Sequence, residues 1–513
     1  MQKDIEITLA PEDVANQQLI LQNIAKALKA DLKSINSFKI LKRSIDARSR
    51  KVIYRLQVRV YINEPAPQLA SAVIYPSVAD KRAVIIVGAG PAGLFAALQC
   101  IEIGLKPIVV ERGKDVKQRR RDLAAINKQG LVNTESNYCY GEGGAGTYSD
   151  GKLYTRSNKR GDINKVLQIF VQHGADEDIL IDARPHIGTN KLPHIITAIR
   201  ETIIKAGGQV LFDAKLTDFI IENDKIKGII VNNQQKLLAD DVILATGHSA
   251  RDIYELLHKK NILLEAKPFA LGVRIEHPQQ IIDSAQYHCD IRSEFLPPAY
   301  YSMVEQVKTR GVFSFCMCPG GIIAPCATDL NEIVVNGWSP SKRNNPFANS
   351  GTVVQITLDD VPGTDPLRML DFQNSIEKKA FQVGGGNLVA PAQRMVDFVE
   401  GRLSADLPKN SYLPGTKSAM LEDILPDFVA SSLKAALPLF GKKMKGYYSN
   451  DAVLVGVESR TSSPVRILRD KETFQHPQVR GLYPCAEGAG YAGGIVSAAI
   501  DGVNCANAIL NKI

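Results

Sequence analysis

The sequence lacks the features of several large classes of protein. No apolar run approaches the roughly 20 residues that a membrane-spanning helix requires, and the polar N-terminus has no apolar signal core. The eight cysteines follow neither a small-domain disulfide pattern nor a C-x-x-C pair, and the eight histidines include no H-x-x-x-H pair. These absences predict a protein of the reducing cytoplasm, with no membrane segment and no bound metal.

The composition is that of an ordinary globular protein. Of 513 residues 45% are apolar, and a net charge of +8 is mild for this length, which predicts two or three domains. Part of the positive charge lies in residues 39–60 and 114–122. For the first run two interpretations stay open, namely solvated strand faces or attraction to an anionic partner such as nucleic acid.

A glycine-rich turn follows the first buried strand that the sequence predicts. Residues 84–87 are all apolar and lead into G-x-G-x-x-G and then a helical pattern. The first glycine permits a tight turn, the second lets the backbone approach a pyrophosphate, and the third lets helix and strand pack closely, while the helix start presents N–H groups to phosphates. The predicted contacts of this turn are Gly88, Gly90, Pro91, Ala92 and Gly93.

A second predicted strand, residues 108–110, ends in an acidic residue. The Glu111 carboxylate can accept hydrogen bonds from an adenosine ribose, and together with the glycine turn it predicts a dinucleotide site. Arg112 is assigned to the same site. One arginine of the run at 119–121, taken as Arg120, is predicted to reach the phosphates of the cofactor.

Three further segments are predicted to complete this site. The stretch GEGGAGT is a loop whose backbone amides can contact the cofactor, ATG ends a later apolar strand, and a glycine pair begins the last helix, where negative charge is favoured. The residues assigned from these segments are Gly143, Gly144, Gly146, Thr246, Gly247, Gly493, Gly494 and Ile495.

The order of the predicted elements divides the chain into four parts. Residues 1–80 read as a β-α-β-β module, ferredoxin-like in order, that ends in a proline-containing linker. A dinucleotide-binding domain occupies residues 81–264 and returns at 476–513. Residues 265–475 predict a β-rich substrate or cap domain inserted between these two parts.

Several motifs together resemble a known family. GAGPAG, the acidic strand end, the distal ATG and the C-terminal EGAG resemble the glutathione-reductase-type FAD fold, with Glu487 where that fold usually has aspartate. FCMCPGG at 315–321 and VGVESRTSSPVRI at 455–467 resemble the bacterial FAD-dependent dehydrogenases more specifically. The resemblance implies an α/β fold in which a Rossmann-like FAD-binding domain carries an inserted β-rich domain. It also implies FAD as the tightly held cofactor.

The groups that would face the flavin are predicted mainly in FCMCPGG. Cys316 and Cys318 are expected on one strand face, with Gly320 just beyond, and three roles stay open: contact with flavin or substrate, a redox pair, or packing. His186 and His248 are candidates for polar roles. Arg460 is expected in an exposed turn, where it either holds an anionic substrate or pairs with Glu458.

The predicted function is that of a FAD-dependent oxidoreductase that exchanges a hydride between flavin N5 and a small organic substrate. Because residues 265–475 contain no second G-x-G-x-x-G, NADH or NADPH as donor would bind only transiently. Two alternatives stay open. One is a flavoprotein that binds or acts on RNA through its basic N-terminal module, and the other is a non-catalytic flavin sensor or scaffold.

Overall fold

The computed structural model describes residues 1–65, 72–155 and 160–510. The N-terminal module contains β1 (Gln2–Leu9), α1 (Gln17–Leu28), β2 (Ile35–Asp46) and β3 (Ile53–Ile62). β3 lies between the other two strands and is antiparallel to both. α1 begins at Gln17 because Asn16 caps it by accepting from the N–H groups of Gln18 and Leu19. Part of the predicted linker, residues 66–71, lies outside the described residues.

A five-stranded parallel sheet forms the centre of the nucleotide domain, in the order β22-β10-β4-β5-β6, and an antiparallel sheet β7-β8-β9 is attached to it. The elements of this part are β4 (Ala83–Val87), α2 (Pro91–Glu102), β5 (Lys106–Val110), α3 (Val116–Gln129), α4 (Ile163–Gln172), α5 (Leu192–Lys205), β6 (Gln209–Leu211), β7 (Leu216–Glu222), β8 (Lys225–Val231), β9 (Gln235–Leu238), β10 (Val242–Leu244) and α6 (Arg251–Lys259).

A seven-stranded sheet, in the order β13-β14-β17-β12-β20-β18-β19, forms the second large unit. Its elements, with a separate β15-β16 hairpin and the preceding β11, are β11 (Leu264–Ala266), β12 (Phe269–Pro278), α7 (Gln279–Tyr287), β13 (Val304–Val307), β14 (Arg310–Cys318), β15 (Ile322–Pro325), β16 (Val335–Trp338), β17 (Phe347–Ile356), α8 (Arg368–Gly384), β18 (Ala390–Arg394), α9 (Met395–Glu400), β19 (Thr416–Ser418), α10 (Asp427–Lys443) and β20 (Val453–Glu458).

The chain then returns to the nucleotide domain through β21 (Val465–Ile467), β22 (Leu482–Pro484) and α11 (Ile495–Leu510). β21 pairs with β11, and β22 adds to the parallel sheet beside β10. α11 packs against α2 so closely that a Cβ on Gly502 would lie 2.1 Å from the Ala92 carbonyl oxygen. This return brings the last helix to the glycine turn that begins α2.

The predicted fold class is confirmed: the protein is a mixed α/β structure with a five-stranded parallel sheet and a large β-rich unit. The exact boundaries at 80, 264 and 475 stay a prediction. Within the described ranges, no helix combines the length and the apolar character that crossing a bilayer requires.

Candidate functional site

A large cavity lies where the carboxyl ends of β4, β5, β10 and β22 face the seven-stranded sheet, which is the edge where α/β sheets bind ligands. Most of the site residues that the sequence predicted line it: Gly88, Gly90, Pro91, Ala92, Glu111, Arg112, Gly144, Gly146, Thr246, Gly247, Cys316, Cys318, Glu487, Gly494 and Ile495. The cavity wall does not include Gly93, Arg120, Gly143, Gly320 or Gly493.

The turn between β4 and α2 has the geometry that its glycines predicted. Gly88 has φ +105°, and a Cβ there would lie 2.4 Å from the Ala245 carbonyl oxygen. A Cβ on Gly93 would lie 1.9 Å from the Gly88 carbonyl oxygen, so Gly93 serves helix–strand packing and not the cavity wall. Gly90 caps α2 without a side-chain hydrogen bond, which leaves N–H groups of the first turn free at the cavity.

Glu111 is buried and already holds the surrounding backbone. One carboxylate oxygen accepts from Ala89 N–H at 2.9 Å, and the other accepts from Gly113 N–H and Gly141 N–H, both at 2.9 Å. Because an ionised carboxylate offers about four acceptor sites, these three bonds leave room for a further donor from the cavity. Glu111 therefore joins the glycine turn to the glycine-rich loop as well as facing a ligand.

The basic segment after Glu111 has a different role from the one that the sequence suggested. Arg120 is exposed on α3, outside the cavity wall, so its position gives no support to the predicted phosphate contact. Its neighbour Arg119 is completely buried and donates to the carbonyl oxygens of Asn137, Tyr138 and Glu142 at 2.8–2.9 Å. Burial lowers the pKa of Arg119. This arginine holds the glycine-rich loop in place.

The glycine-rich loop lies against the glycine turn. A Cβ on Gly144 would lie 3.1 Å from the Gly90 Cα, and Gly143 N–H donates to Ala89 O at 2.8 Å. Glu142 anchors the other side, since its carboxylate accepts from Val116 N–H at 2.8 Å and from Arg200 at 3.1 Å. The backbone of the glycine-rich loop thus packs directly on the backbone of the glycine turn, because the glycines leave no side chain between them. This packing makes the loop part of the cavity wall.

The segments that follow β10 and β22 form a further part of the cavity wall. Thr246, Gly247 and His248 follow β10, and Glu487 follows β22, with His248 Nδ1 lying 3.4 Å from a Glu487 carboxylate oxygen. Gly494 directly precedes α11 and lines the cavity, whereas Gly493 lies outside the cavity wall. Glu487 thus lines the site, as the sequence predicted.

These residues fit FAD. The turn and the loop meet the cavity with glycines, a helix start offers unpaired N–H groups, and an acidic side chain closes the strand end. Gly90, Ala92 and Gly144 would hold the phosphates, and Glu111 would hold the ribose. The cavity extends from there to the seven-stranded sheet.

The substrate end of the cavity is defined here by Cys316, Cys318, Asn336, Gly337 and Glu458. A bulge in β14 interrupts the regular alternation of side chains between Phe315 and Cys318, and Cys316 has φ +45°. Both cysteines still line the cavity, but Cys316 is exposed to it while Cys318 is buried.

All eight cysteines are free thiols, so no disulfide joins Cys316 to Cys318. Contact with flavin or substrate, a redox pair and packing stay predictions for these two residues. Gly320 lies away from the cavity, where a Cβ would be 1.7 Å from the Arg343 carbonyl oxygen, so its role is in the turn.

Arg274 supports the substrate end from below. It is fully buried and donates to Glu458 at 3.0 Å, to the Cys316 carbonyl oxygen at 2.8 Å and to Asn349 at 2.7 Å. Glu458 is also buried, and desolvation raises its pKa although Arg274 opposes this effect. Glu458 therefore pairs with Arg274, and not with Arg460 as one sequence interpretation proposed.

Arg460 is buried rather than in an exposed turn. Its guanidinium donates to Glu332 at 2.5 Å and to Glu377 at 3.0 Å, and Arg251 binds the same two carboxylates. Two arginines and two glutamates thus balance each other beside the cavity. His186 also lies outside the cavity wall, with Nε2 3.2 Å from the Ser341 carbonyl oxygen, and burial lowers its pKa to about 4.

Sequence reasoning missed several cavity residues. Asp150 and Lys152 follow the glycine-rich loop, and Cys139 and Cys326 come together at 3.9 Å between the Cys139 Sγ and the Cys326 carbonyl oxygen. The string SDGKL contains the first two, but no spacing rule connects them to a strand more than 150 residues later. Their only signal was proximity to the glycine-rich loop.

One cluster in the described part of the chain brings metal-ligand atoms together. Cys485, Asp501 and Cys505 lie within 4.8 Å of one another and are buried. Arg469 binds both Asp501 carboxylate oxygens, at 2.8 and 2.7 Å, so a guanidinium already meets the negative charge there. The cluster lies beneath the β22–α11 connection.

Comparisons with known proteins agree with the geometry. Residues 268–461 match the family described as "FAD-dependent protein, C-terminal domain-like", residues 83–120 match "FAD binding domain", and residues 1–61 match a domain of unknown function. An uncharacterised protein of Clostridium beijerinckii is 39% identical over 526 residues, which cover 99% of this chain and 98% of that protein.

More distant similarities are limited to part of the chain or to low scores. Thiamine thiazole synthase of Aeropyrum pernix is 26% identical over 182 residues, which cover 33% of this chain and 55% of the synthase. The crystal structure of CtdE in complex with FAD aligns with 84% of each chain at 12% identity, with a TM-score of 0.34. No function is transferred at these levels.

Proposed function

This chain belongs to the family of bacterial FAD-dependent proteins that includes the Clostridium beijerinckii protein, and on that premise we propose that it is an oxidoreductase acting on a small organic molecule. The observation that carries the proposal is the continuity of one cavity, from the glycine turn at Gly88 to the substrate end at Cys316. A substrate entering there would share the cavity with the cofactor.

When bound, FAD supplies hydride exchange with an organic substrate. The chain would supply binding, orientation and the exclusion of water. The N–H groups at the start of α2 bind phosphate charge, and Glu111 fixes the ribose end. Arg274 holds the Cys316 carbonyl and Glu458, which keeps the floor of the substrate end rigid. The first turn of α11 faces the cavity at Gly494, where a helix start favours negative charge.

NADH or NADPH as electron donor forms part of the proposal. The test is an anaerobic titration of the FAD-loaded protein with NADH and then with NADPH, followed by the visible flavin spectrum. Rapid bleaching by one of them is the expected result. Flavin that stays oxidised with both would exclude a nicotinamide donor and leave a substrate-first dehydrogenase or a sensor. Failure of the protein to take up FAD would overturn the whole proposal.

A small-molecule substrate is preferred over RNA because the strands of the N-terminal module neutralise much of their own charge. Arg55 pairs with Glu6 and Asp46, and Arg59 pairs with Asp4. Phosphate backbones are bound by cations that are free to replace counterions. Binding of single-stranded RNA that weakens steeply with added salt would contradict this preference.

A further inference from the structure

Lys152 is a cation at the substrate end that forms no ion pair with a carboxylate of the described residues. It lines the cavity, and its ammonium donates a hydrogen bond to the Met317 carbonyl oxygen. Within the described residues no carboxylate oxygen lies within the 4.0 Å of an ion pair with it. The remaining short segments, residues 66–71, 156–159 and 511–513, contain no aspartate or glutamate.

The charge of Lys152 acts to lower the pKa of two acidic side chains, Asp150 and Glu458, but each of these pairs with an arginine. Asp150 is buried and pairs with Arg343 at 2.6 and 3.1 Å. Glu458 is buried and pairs with Arg274 at 3.0 Å. Because each of these carboxylates has its own guanidinium, the ammonium of Lys152 remains as one excess positive charge in this part of the cavity.

The other cations that line the cavity differ from Lys152. Arg112 and Lys215 share Glu135 and Asp252, and Arg460 is held by two glutamates. His248 lies 3.4 Å from Glu487. Among the cavity-lining cations in the described part of the chain, only Lys152 has no acidic partner.

Lys152 also lies close to the group that would meet a substrate. The positive charge of Lys152 acts on the Cys316 thiol and favours its ionised form, and Cys316 is exposed to the cavity. Lys152 follows the glycine-rich loop and forms an isolated bridge with His186. The backbone of Lys152 is therefore held by its pairing with His186.

We infer that the substrate is a small organic carboxylate whose negative charge lies against the Lys152 ammonium. This inference rests on the proposed oxidoreductase function and names the chemical class of its substrate. A charge within a partly enclosed site is costly unless it is paired. One uncompensated ammonium matches a monoanion, whereas a phosphate dianion would leave an unpaired negative charge. Lysine acts here as a point charge rather than as a bidentate fork.

The inference can be tested with unreactive probes on the FAD-loaded full-length protein. Acetate, pyruvate and benzoate are titrated at constant ionic strength while the visible flavin spectrum is recorded, and acetamide and benzamide serve as neutral counterparts. We expect at least one carboxylate to perturb the spectrum saturably, and its amide to bind at least tenfold more weakly. If no carboxylate binds, or if amides bind equally well, the inference is wrong.

Variants assign the binding to the ammonium. We expect Lys152→Met and Lys152→Gln to weaken the carboxylate at least tenfold, and Lys152→Arg to stay within about threefold of the wild type because its charge is kept. Lys205→Met, at an exposed lysine of α5 outside the cavity, is the matched control and should leave affinity unchanged. With two neutral variants and the arginine variant, the conclusion does not depend on the correct folding of any one variant.

Two results separate the ways in which the inference can fail. Absence of a flavin band after FAD is added to the wild type would overturn the proposed function before any probe is used. If the Lys152→Met protein instead loses FAD, or changes its ligand-free flavin spectrum while carboxylate affinity stays the same, then the ammonium serves the cofactor and the substrate inference is overturned.

Discussion

Arg119 and Arg120 are adjacent residues with opposite environments. Arg119 is fully buried and donates three hydrogen bonds to carbonyl oxygens of residues 137–142, which form one wall of the cavity. Arg120 points outward from α3 and is exposed. Hydrogen bonds from a charged donor contribute about 1.5–3 kcal/mol each, and leaving buried acceptors unpaired adds a further cost. The loop therefore depends on the first arginine and not on the second.

We expect Arg119→Met to destabilise the protein by at least about 3 kcal/mol, because three buried carbonyl groups lose their donor. FAD affinity should fall with it, because the loop is part of the cavity wall. Arg120→Met is the matched control and should change neither property. Thermal unfolding and FAD retention measured on both proteins check this. A loss of FAD affinity in Arg120→Met alone would restore the phosphate contact predicted from the sequence.

Glu276 is a buried acid that lies outside the cavity wall. Its carboxyl accepts from both the backbone N–H and the hydroxyl of Ser411, yet burial outweighs these bonds and raises its pKa to about 7. Between the ordinary value of 4.5 and 7, the folded protein retains a proton that the unfolded chain releases. Stability from this group is therefore fully present below pH 4.5 and is lost as pH rises towards 7.

We expect Glu276→Gln to remove this pH dependence, because the uncharged amide can accept from the Ser411 N–H through its oxygen and donate to the Ser411 hydroxyl oxygen through its NH₂ group. The Tm of the variant relative to wild type should rise between pH 5 and 7 and then stay constant. The corresponding gain in the free energy of unfolding is at most about 3 kcal/mol, because the pKa of Glu276 is raised from 4.5 to about 7. A pH series of melting curves checks this, with the exposed Glu294→Gln as control. Parallel curves for Glu276→Gln and wild type would contradict it.

At the scale of elements, the β4–α2 turn separates two uses of glycine. A Cβ on Gly93 would lie 1.9 Å from a backbone oxygen of Gly88, a contact that no small shift can relieve. A Cβ on Gly90 would meet its nearest atom, the Gly144 Cα, only at 3.9 Å, and the backbone φ of −76° is ordinary. A methyl group on Gly90 would therefore not clash with the protein. A small residue is required there because Gly90 lines the cavity.

We expect Gly93→Ala to lower stability and FAD binding together. Gly90→Ala should leave the Tm of the cofactor-free protein almost unchanged and weaken FAD at least tenfold, because its methyl group occupies the surface that approaches the phosphates. Melting curves of the FAD-free proteins and FAD titrations check both variants. Wild-type FAD affinity in Gly90→Ala would show that the backbone at this position does not contact the cofactor.

The success of the sequence prediction follows from how local each signal is. The glycine turn, Glu111 and the start of α11 are fixed by short motifs, and all of them reach the cavity. Arg460 was expected in an exposed turn, but its partners Glu332 and Glu377 lie far away in the chain, so no motif could announce the ion pairs. The bulge at Cys316 was missed for the same reason, since it depends on pairing with β17.

At the scale of the whole molecule, the cavity is assembled from segments that are distant in the chain. β22 returns after the seven-stranded sheet to pair with β10, and α11 then packs on α2. The N-terminal module is likewise attached to both large units. Arg43 binds Asp178 and Asp182 at 2.8 and 2.7 Å, while Tyr54 is buried in the core of the β-rich unit.

We expect Tyr54 to be the main anchor of the N-terminal module. Its ring is 8% exposed, and its hydroxyl donates to the Phe295 carbonyl oxygen at 3.3 Å. Truncating a buried aromatic side chain costs about 3–5 kcal/mol, whereas exposed ion pairs contribute little. Tyr54→Ala should therefore speed hydrogen exchange in β2 and β3 of the full-length protein without reducing FAD binding, since Tyr54 is outside the cavity wall.

Arg59→Ala, which removes a surface ion pair with Asp4 in the same sheet, is the control and should leave exchange unchanged. Hydrogen-exchange mass spectrometry on peptides from residues 35–62 distinguishes the two variants. If Tyr54→Ala exchanges like wild type, the Arg43 contacts and the backbone bridge between Arg43 and Asp182 hold the module instead. If hydrogen exchange in residues 35–62 is unchanged from wild type in Tyr54→Ala but faster in Arg43→Ala, then the N-terminal module is held mainly by its contacts with the nucleotide domain.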